Sequence, residues 1–459
     1  MTIGTLPNEL LLGVFYLYLE KVPDPIKTEQ FGEDNWHTLV HVCQRWRCLV
    51  FAHPKYLDLR LLFTMKRQME KMLDIWPALP IVIKADISDT TDSRQTDVIA
   101  ALGQHDRLRE IKIWKFSNSL WRSSMESELL KPFPVLTSLV LQSDEKRVPA
   151  LPDSFLGGSA PRLRSLWLSG IPFPALPRLL SSTDNLIDLH LWQIPRSGYM
   201  SPDEMVTSLS VLKKLKSLLL RFRSPRSHAH QASQLLPPPT RVVLPALTIL
   251  SFKGDSEYLE EFVSRIDSPL LDEAEITFFN QPVFDTPRLC DFISRTETSK
   301  ATSRADILFS NHQIGVSLYR RDGRKVLQLG IPSDGQLSSL AQVYSSSLPP
   351  LPTLEHLGIH EKESSPVRWH GHIQGESTQW LELLRPFIFV KDLVLSEKLV
   401  PFVAPVLQEL VRERVTEVLP ALQNLFLEGQ PPSGPAEEGI GQFIAARQLI
   451  GHPVAVHKQ

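Results

Sequence analysis

The sequence predicts an α/β protein in which a small all-α segment precedes a long α/β solenoid of irregular repeats. Three observations predict it: apolar residues at helical spacing near the start, a recurring Leu-x-x-Leu-x-Leu phrase over the remainder, and 37 prolines spread along 459 residues. Prolines distributed in this way separate many short elements, as a repeat protein requires. We predict a helical domain at residues 1–62 and a repeat domain at 63–459, whose C-terminal cap begins near residue 436.

Composition narrows the classes of partner and the compartment. A formal net charge of −2 does not favour a nucleic-acid or membrane partner. The three cysteines, Cys43, Cys48 and Cys290, are too few for a disulfide framework and favour a reducing compartment. The first residues lack the basic-then-apolar pattern of a secretory signal, and no apolar run reaches the roughly 18 residues of a membrane span. We therefore expect a cytoplasmic or nuclear protein.

The first sixty residues show the period of short amphipathic helices. Pro7 suits a first helical turn, where the missing N–H has no intrahelical partner to lose. Apolar residues follow at Leu10, Val14 and Leu17, and helical spacing resumes at 36–50 after a charged, proline-containing stretch at 21–35 that predicts a loop. Helices this short cannot bury all of their apolar surface, and such a surface usually meets a partner.

The residues of this segment resemble a known family. Leu6-Pro7-x-Glu9-Leu10 with Val14-Phe15, followed by Val42-Cys43-x-x-Trp46 with Leu49-Val50, resembles the F-box, and the chain is similar to a large family of fungal F-box proteins. The resemblance covers the first 62 of 459 residues and departs from the pattern in the long loop at 21–35. It implies three short helices that bind the Skp-type adaptor and, through it, the cullin of an SCF (Skp–cullin–F-box) ubiquitin ligase.

The resemblance assigns adaptor contacts to eight positions: Leu6, Pro7, Leu10, Val14, Phe15, Val42, Cys43 and Trp46. The alternative is that the apolar residues among them form only the core of a helical N-terminal cap. Both can hold for one residue, since an F-box shares its apolar positions between its core and the adaptor. We expect the Cys43 thiol to act as a small buried hydrophobic group and not as a reactive thiol.

The rest of the chain repeats one phrase ten times. The spacing between phrases is mostly 23–32 residues, near the roughly 20–29 of leucine-rich repeats. The last two apolar residues of each phrase, two positions apart, would lie on one face of a short strand, and each repeat would bury that face by stacking on the next. This predicts an irregular leucine-rich-repeat-like horseshoe. The phrases begin at Leu108, Leu136, Leu163, Leu186, Leu215, Leu247, Leu271, Leu354, Val390 and Leu422.

The pattern is interrupted at residues 277–353. Alternating runs at Ile307–Phe309, Val316–Tyr319 and Val326–Leu329 predict strands, and Arg321–Arg324 predicts the hairpin turn between the last two. We interpret this stretch as one or two divergent repeats with an inserted hairpin.

Three further segments complete the predicted organisation. Residues 224–241 and 361–375, rich in Ser, Pro and His, predict polar loops on one rim. Near the C-terminus, apolar residues at helical spacing from Ile440 to Ile450 predict a helix, and Pro453–Val456 predicts a strand. These two elements would cover the last open edge of the sheet.

The sequence contains no pattern that indicates catalysis. The glycine-rich phosphate-binding motifs, the nucleophile-elbow motif, HExxH and paired CxxC are all absent from it. His37, His41 and Cys43 lie close together, but no further ligand at suitable spacing accompanies them. We therefore predict no catalytic residue, no metal and no cofactor, and a protein that is not an enzyme.

The predicted function is substrate recognition within an SCF ligase, with the repeat domain binding a target protein that the sequence does not identify. Non-leucine strand positions would face the target, and the candidates are Trp114, Trp167, Trp192 and Arg221. The alternative is a leucine-rich-repeat scaffold for protein–protein interaction without a ligase role.

Overall fold

The chain divides into two units, Met1–Tyr199 and Met200–Gln459. The computed structural model describes residues 6–21, 36–64, 73, 75–76, 78–87, 92–116, 125–145, 148–225, 241–281, 283–296, 302–310, 313–332, 337–349, 351–361, 377–410, 416–429 and 434–458. Most of each predicted loop, at 21–35, 224–241 and 361–375, lies outside these residues.

The described part of the first 62 residues contains three helices, as the apolar spacing predicts. They are α1 (Asn8–Lys21), α2 (Trp36–Val40) and α3 (Gln44–Ala52). Their shared core is small, because each helix is short and buries only one face. Its completely or almost completely buried side chains are Leu11, Phe15, Trp36, Leu39, Val40, Leu49 and Val50.

A parallel sheet follows the helices in the first unit. Its six described strands pair in chain order: β1 (Leu61–Thr64), β2 (Ile81–Asp86), β3 (Leu108–Trp114), β4 (Ser138–Gln142), β5 (Ser165–Ser169) and β6 (Asp188–Ile194). The described α-helices between strands are α4 (Asp92–Leu102), α5 (Glu126–Leu129) and α6 (Leu176–Leu180). A 3-10 turn at Phe155–Gly158 lies between β4 and β5. Parallel neighbours need such a crossover after every strand, which is why helical turns alternate with strands here.

The repeated phrase determines this register. Its last two apolar residues lie on one face of each strand, and neighbouring strands align them in rows. The three apolar residues of each phrase in this unit are therefore completely or almost completely buried, as the sequence predicts. The two rows are Ile83, Ile111, Leu139, Leu166 and Leu189, and Ala85, Ile113, Leu141, Leu168 and Leu191.

The second unit contains a mostly parallel sheet. In order across the sheet, its described strands are β7 (Ser217–Phe222), β9 (Ile249–Gly254), β11 (Glu273–Phe278), β14 (Lys325–Pro332), β13 (Gln313–Arg320), β12 (Thr302–Phe309), β15 (His356–Glu361), β16 (Asp392–Leu395), β17 (Asn424–Leu427) and β18 (Ala455–Lys458). A separate parallel pair joins β8 (Val242–Val243) to β10 (Ile266–Asp267).

Helices of the second unit lie beside one another in chain order and form a layer. They are α7 (Pro202–Leu209), α8 (Ser256–Ser264), α9 (Pro287–Arg295), α10 (Leu337–Ser347), α11 (Ser377–Leu384), α12 (Val400–Glu409) and α13 (Pro435–Leu449). The Glu260 carboxylate shows how neighbouring helices connect. It projects from α8 and accepts hydrogen bonds from the N–H groups of Arg288 (2.9 Å) and Leu289 (2.8 Å) at the start of α9. Each helix thus packs against the next, as each strand pairs with its neighbour.

The predicted strands and hairpin turn of the interrupted region are confirmed. The three strands lie across the sheet in the reverse of their order in the chain. β12, β13 and β14 form an antiparallel meander with the turn at Arg321–Arg324. The last of them, β14, pairs with β11, and the first, β12, pairs with β15. Gly315 pairs directly with Gly330, and a Cβ at Gly315 would approach the Leu329 carbonyl oxygen to 2.6 Å, so the backbones there need glycine.

The C-terminal helix and strand are present, with one boundary corrected. The predicted strand at Pro453–Val456 begins two residues later, at Ala455, whose N–H donates to the Gln423 carbonyl at 2.8 Å. Pro453 has no N–H to contribute to a ladder, which accounts for the shift. The completely buried Arg447 holds α13 in place through bonds to the carbonyls of Leu422 (2.9 Å), Pro420 (3.1 Å) and Leu419 (3.5 Å).

Replacing this buried guanidinium tests the C-terminal anchor. Arg447→Ala should lower the free energy of unfolding by roughly 3 kcal/mol, because buried carbonyls lose a charged donor. Arg385→Ala is the matched control: its ion pair with Glu417 (2.8 Å) is mostly exposed and should contribute less than about 1 kcal/mol. Urea unfolding followed by circular dichroism measures both. Equal losses in the two variants would contradict the anchoring role.

Candidate functional site

The first candidate site is an apolar stripe on α1. Leu10, Val14 and Leu17 are 57%, 44% and 54% exposed and are spaced by four and three residues, so they lie on one face of the helix. Val42, in the turn between α2 and α3, is 59% exposed. A small helical unit that leaves several large apolar side chains in solvent has a surface suited to a protein partner.

The eight positions that the F-box resemblance assigns to the adaptor fall into three environments. Pro7, Leu10, Val14, Val42 and Cys43 are exposed, Leu6 and Trp46 are half-buried, and Phe15 is completely buried. The Phe15 and Trp46 rings pack together with centroids 4.7 Å apart. Phe15 therefore belongs to the core of the helical segment, and Trp46 supports that core while remaining partly accessible.

The expectation for Cys43 is wrong, because its thiol is exposed rather than buried. Cys43 precedes the first turn of α3 with an extended backbone (φ −160°, ψ 168°). Its side chain therefore does not follow the helical spacing that places Leu49 and Val50 in the core. The predicted burial of Cys43 was wrong because one helical period was assumed to continue across the boundary between α2 and α3.

Polar contacts fix α1 against the other two helices. The Arg45 guanidinium of α3 donates to the Asn8 side-chain oxygen at 2.8 and 3.2 Å and also bonds to the Leu6 carbonyl. At the other end of α1, the Tyr18 hydroxyl lies 3.2 Å from the Thr38 hydroxyl of α2. The exposed stripe is thus presented on a helix that is held at both ends.

An aromatic cluster connects the helices to the start of the sheet. The Trp36 ring lies 5.1 Å from Trp76 and 5.9 Å from Phe51, and its N–H donates to the Arg60 carbonyl at 2.9 Å. His37 packs in the same cluster, 4.9 Å from Trp76. Within the described residues, no three His, Cys, Asp or Glu side chains are arranged to hold a metal ion.

The second candidate site is the face of the first sheet opposite the leucines. Trp167 is 39% exposed and meets His190 edge to face with centroids 5.5 Å apart, while Trp192 follows two positions after His190 on β6. Trp114 lies on β3, two strands from Trp167. Burial lowers the pKa of His190, while the neighbouring Asp188 carboxylate acts in the opposite direction.

Arg221, the fourth predicted target-facing residue, lies in the second unit and is held by its own sheet. Its guanidinium bonds to the Glu275 carboxylate at 2.7 Å and to the Ser251 hydroxyl at 2.9 and 3.1 Å. The residue thus ties three neighbouring strands together.

A third concentration of polar side chains was not predicted from the sequence. The tripeptide Arg-Leu-Arg occurs at 107–109 and again at 162–164, each time where a strand of the first sheet begins. Its central leucine is completely buried, and its arginines are half-buried or exposed. The repeated tripeptide, which overlaps the start of two of the ten phrases, is the sequence pattern from which this concentration could have been predicted.

Comparison with protein-family models and with curated proteins finds no match to this chain. In the part of the chain that the structure describes, no helix is both long and apolar enough to cross a membrane.

Paired substitutions on α1 separate its core from its exposed stripe. Phe15→Ala should destabilise the helical segment by about 3 kcal/mol or more, because it leaves a cavity beside Trp46. Leu10→Ala removes an exposed side chain and should change stability by less than about 0.5 kcal/mol. Hydrogen exchange of the amides of α1 and α3 measures both effects. If exchange accelerates equally in the two variants, the assignment of core and surface is wrong.

Proposed function

We propose that this chain is the substrate-recognition subunit of an SCF ubiquitin ligase, in which the first 62 residues form an F-box that docks on a Skp-type adaptor. The observation that carries the proposal is the exposed apolar stripe of Leu10, Val14 and Leu17, together with Val42. These residues belong to the segment whose motif resembles the F-box. Complete burial of an apolar side chain of this size contributes roughly 1.5–3 kcal/mol, and burying the part of each that is still exposed would add to the stability of a complex.

The rest of the chain would then bind the target. In this proposal the stacked strands and helices form a leucine-rich-repeat-like solenoid, whose non-leucine strand positions are available for recognition. Trp167 is the most exposed of the three candidate tryptophans and is the natural contact for a target side chain. This function places the protein in the cytoplasm or nucleus.

The chain would act by proximity and would carry out no chemical step itself. Holding adaptor and target on one chain raises the effective concentration of target lysines near the charged conjugating enzyme. The other subunits of the ligase would transfer ubiquitin. The proposed role therefore needs surfaces that bind rather than a catalytic residue.

Charge substitutions in the exposed stripe test adaptor docking. Leu10→Glu/Val14→Glu should reduce recovery of a co-expressed Skp-type adaptor at least tenfold, because each carboxylate would have to be desolvated at the interface. Leu270→Glu/Val283→Glu is the matched control, since these side chains are 60% and 65% exposed but lie in the second unit. Trp46→Ala is unsuitable, because Trp46 packs on the buried Phe15.

Two outcomes of this co-purification would count against the proposal. Equal recovery of adaptor by the wild type and the Leu10/Val14 variant would mean that the stripe is not the docking surface. Recovery of adaptor without cullin would favour the alternative of a scaffold without a ligase role.

A further inference from the structure

A basic groove lies at the amino ends of the strands of the first sheet. Its volume is about 730 Å³, and it extends from the approach to β2 to the approach to β6. Cationic side chains predominate in its lining. They are Lys55, Arg107, Arg109, Arg162 and Arg164, and the one carboxylate among the described lining residues is that of Asp106.

The repeated tripeptide explains why the arginines converge. In each Arg-Leu-Arg the leucine enters the core, which directs the two flanking side chains away from it. The backbone places the two tripeptides in one line across the strand ends: Thr137 N–H donates to the Arg109 carbonyl at 2.8 Å, and Arg164 N–H donates to the Thr137 carbonyl at 2.8 Å. One strand separates the two tripeptides, so they lie roughly 10 Å apart.

The cations of the groove differ in their existing partners. The Arg107 guanidinium is fixed by bonds to the Leu79 carbonyl at 3.0 and 3.1 Å, and Arg109 forms an ion pair with Asp58 at 2.7 Å. Among the described residues, the side chains of Lys55, Arg162 and Arg164 have no hydrogen-bond or ion-pair partner. Mutually repelling cations without carboxylates are stabilised by an anionic ligand.

The geometry selects the class of ligand. The backbones of the two tripeptides lie roughly 10 Å apart, a distance that three residues of an extended peptide span. Guanidinium groups bind carboxylates and phosphates through paired hydrogen bonds. Among the lining residues that the structure describes, no aromatic side chain offers a surface on which a nucleotide base could stack, which disfavours single-stranded nucleic acid.

We propose that this groove binds an extended acidic segment of a partner protein, through Asp, Glu or phosphorylated side chains that pair with the two Arg-Leu-Arg tripeptides. The segment names the class of target for the receptor function proposed above and, in that respect, rests on it. Lys55 comes from the turn that follows α3, so the bound segment lies beside the helical part of the chain that carries the exposed stripe.

The Asp58 carboxylate already pairs with one arginine of the groove, Arg109. Partial burial raises the pKa of Asp58, but hydrogen bonds and charges from Arg60 and Arg109 outweigh that effect and lower the pKa overall. The Asp58 carboxylate therefore competes with an anionic ligand for Arg109, although Asp58 does not itself line the groove. Its backbone is left-handed (φ 47°), a conformation that asparagine also adopts, so Asp58→Asn would release Arg109 without straining the turn.

Direct binding to the purified full-length chain tests the proposal. The probes are three fluorescein-labelled peptides of about a dozen residues and a labelled single-stranded oligonucleotide. The first peptide alternates Glu and Ser, the second is the same peptide phosphorylated on its serines, and the third has Gln in place of every Glu. Fluorescence anisotropy should show binding of the acidic peptides, weakened by salt, and none of the Gln peptide. Comparison of the first two peptides shows whether carboxylate alone suffices or phosphate is needed.

The substitutions act in opposite directions. Arg162→Glu/Arg164→Glu should weaken acidic-peptide binding at least tenfold, and Asp58→Asn should tighten it about threefold. Arg178→Glu/Lys213→Glu changes the net charge by the same amount as the arginine pair, at exposed positions outside the groove, and should change affinity less than twofold. Thermal unfolding verifies that the variants fold.

The proposal is overturned if the acidic peptides do not bind, if the groove variant and the Arg178/Lys213 control weaken binding equally, or if the oligonucleotide binds more tightly than the peptides. Failure of the groove is distinguishable from failure of the receptor function. Arg162→Glu/Arg164→Glu should still recover the Skp-type adaptor in full, whereas Leu10→Glu/Val14→Glu should bind peptide normally. Peptide binding by a chain that recovers no adaptor would leave the groove standing and reject adaptor docking.

Discussion

The constraint on which the structure depends is the alignment of buried leucines from strand to strand. Each strand contributes two apolar residues, two positions apart, and each must lie beside its equivalents on both neighbours. In the second unit the aligned row passes even through the antiparallel meander, and it comprises Leu220, Phe252, Ile276, Leu329, Val316, Ile307, Ile359, Leu395 and Leu427. A shift of one residue in any strand would expose its leucines, so the register of one strand limits that of the next.

That constraint leaves other positions free to vary, and the candidate functional residues occupy them. Side chains between the leucines lie on the opposite face, as Trp167 and His190 do. Side chains just before the strands lie at the amino ends of the strands, as Arg107 and Arg164 do. A fold of this kind can acquire a binding surface without altering its core, which is consistent with a receptor whose specificity resides in exposed side chains.

Much of the fold could be predicted because its signals are local. A phrase of six residues determines one strand, and ten phrases appear in the sequence. Asp322-Gly323 gives the hairpin turn, where Gly323 has a φ of 82°. The order of β12, β13 and β14 was not predictable in this way, because pairing between strands distant in the chain leaves no local pattern. The predicted burial of single side chains was also wrong at a helix boundary, as the exposed Cys43 just before α3 shows.

The candidate sites were predictable only in part, for the same reason. The stripe on α1 follows from helical spacing, but the spacing alone could not separate the exposed Leu10 from the buried Phe15. The basic groove joins Lys55 to residues 107–109 and 162–164, which come together only when strands align. Local sequence patterns identify elements, whereas sites assembled from several elements require the register.

Hydrogen–deuterium exchange of the full chain, with and without a purified Skp-type adaptor, would show where the adaptor docks. Docking on the exposed stripe should slow exchange in the amides of α1 and of the α2–α3 region, residues 6–21 and 36–52, and leave the strands of both units unchanged. No slowing in those helices at saturating adaptor, or slowing confined to the strands, would contradict it.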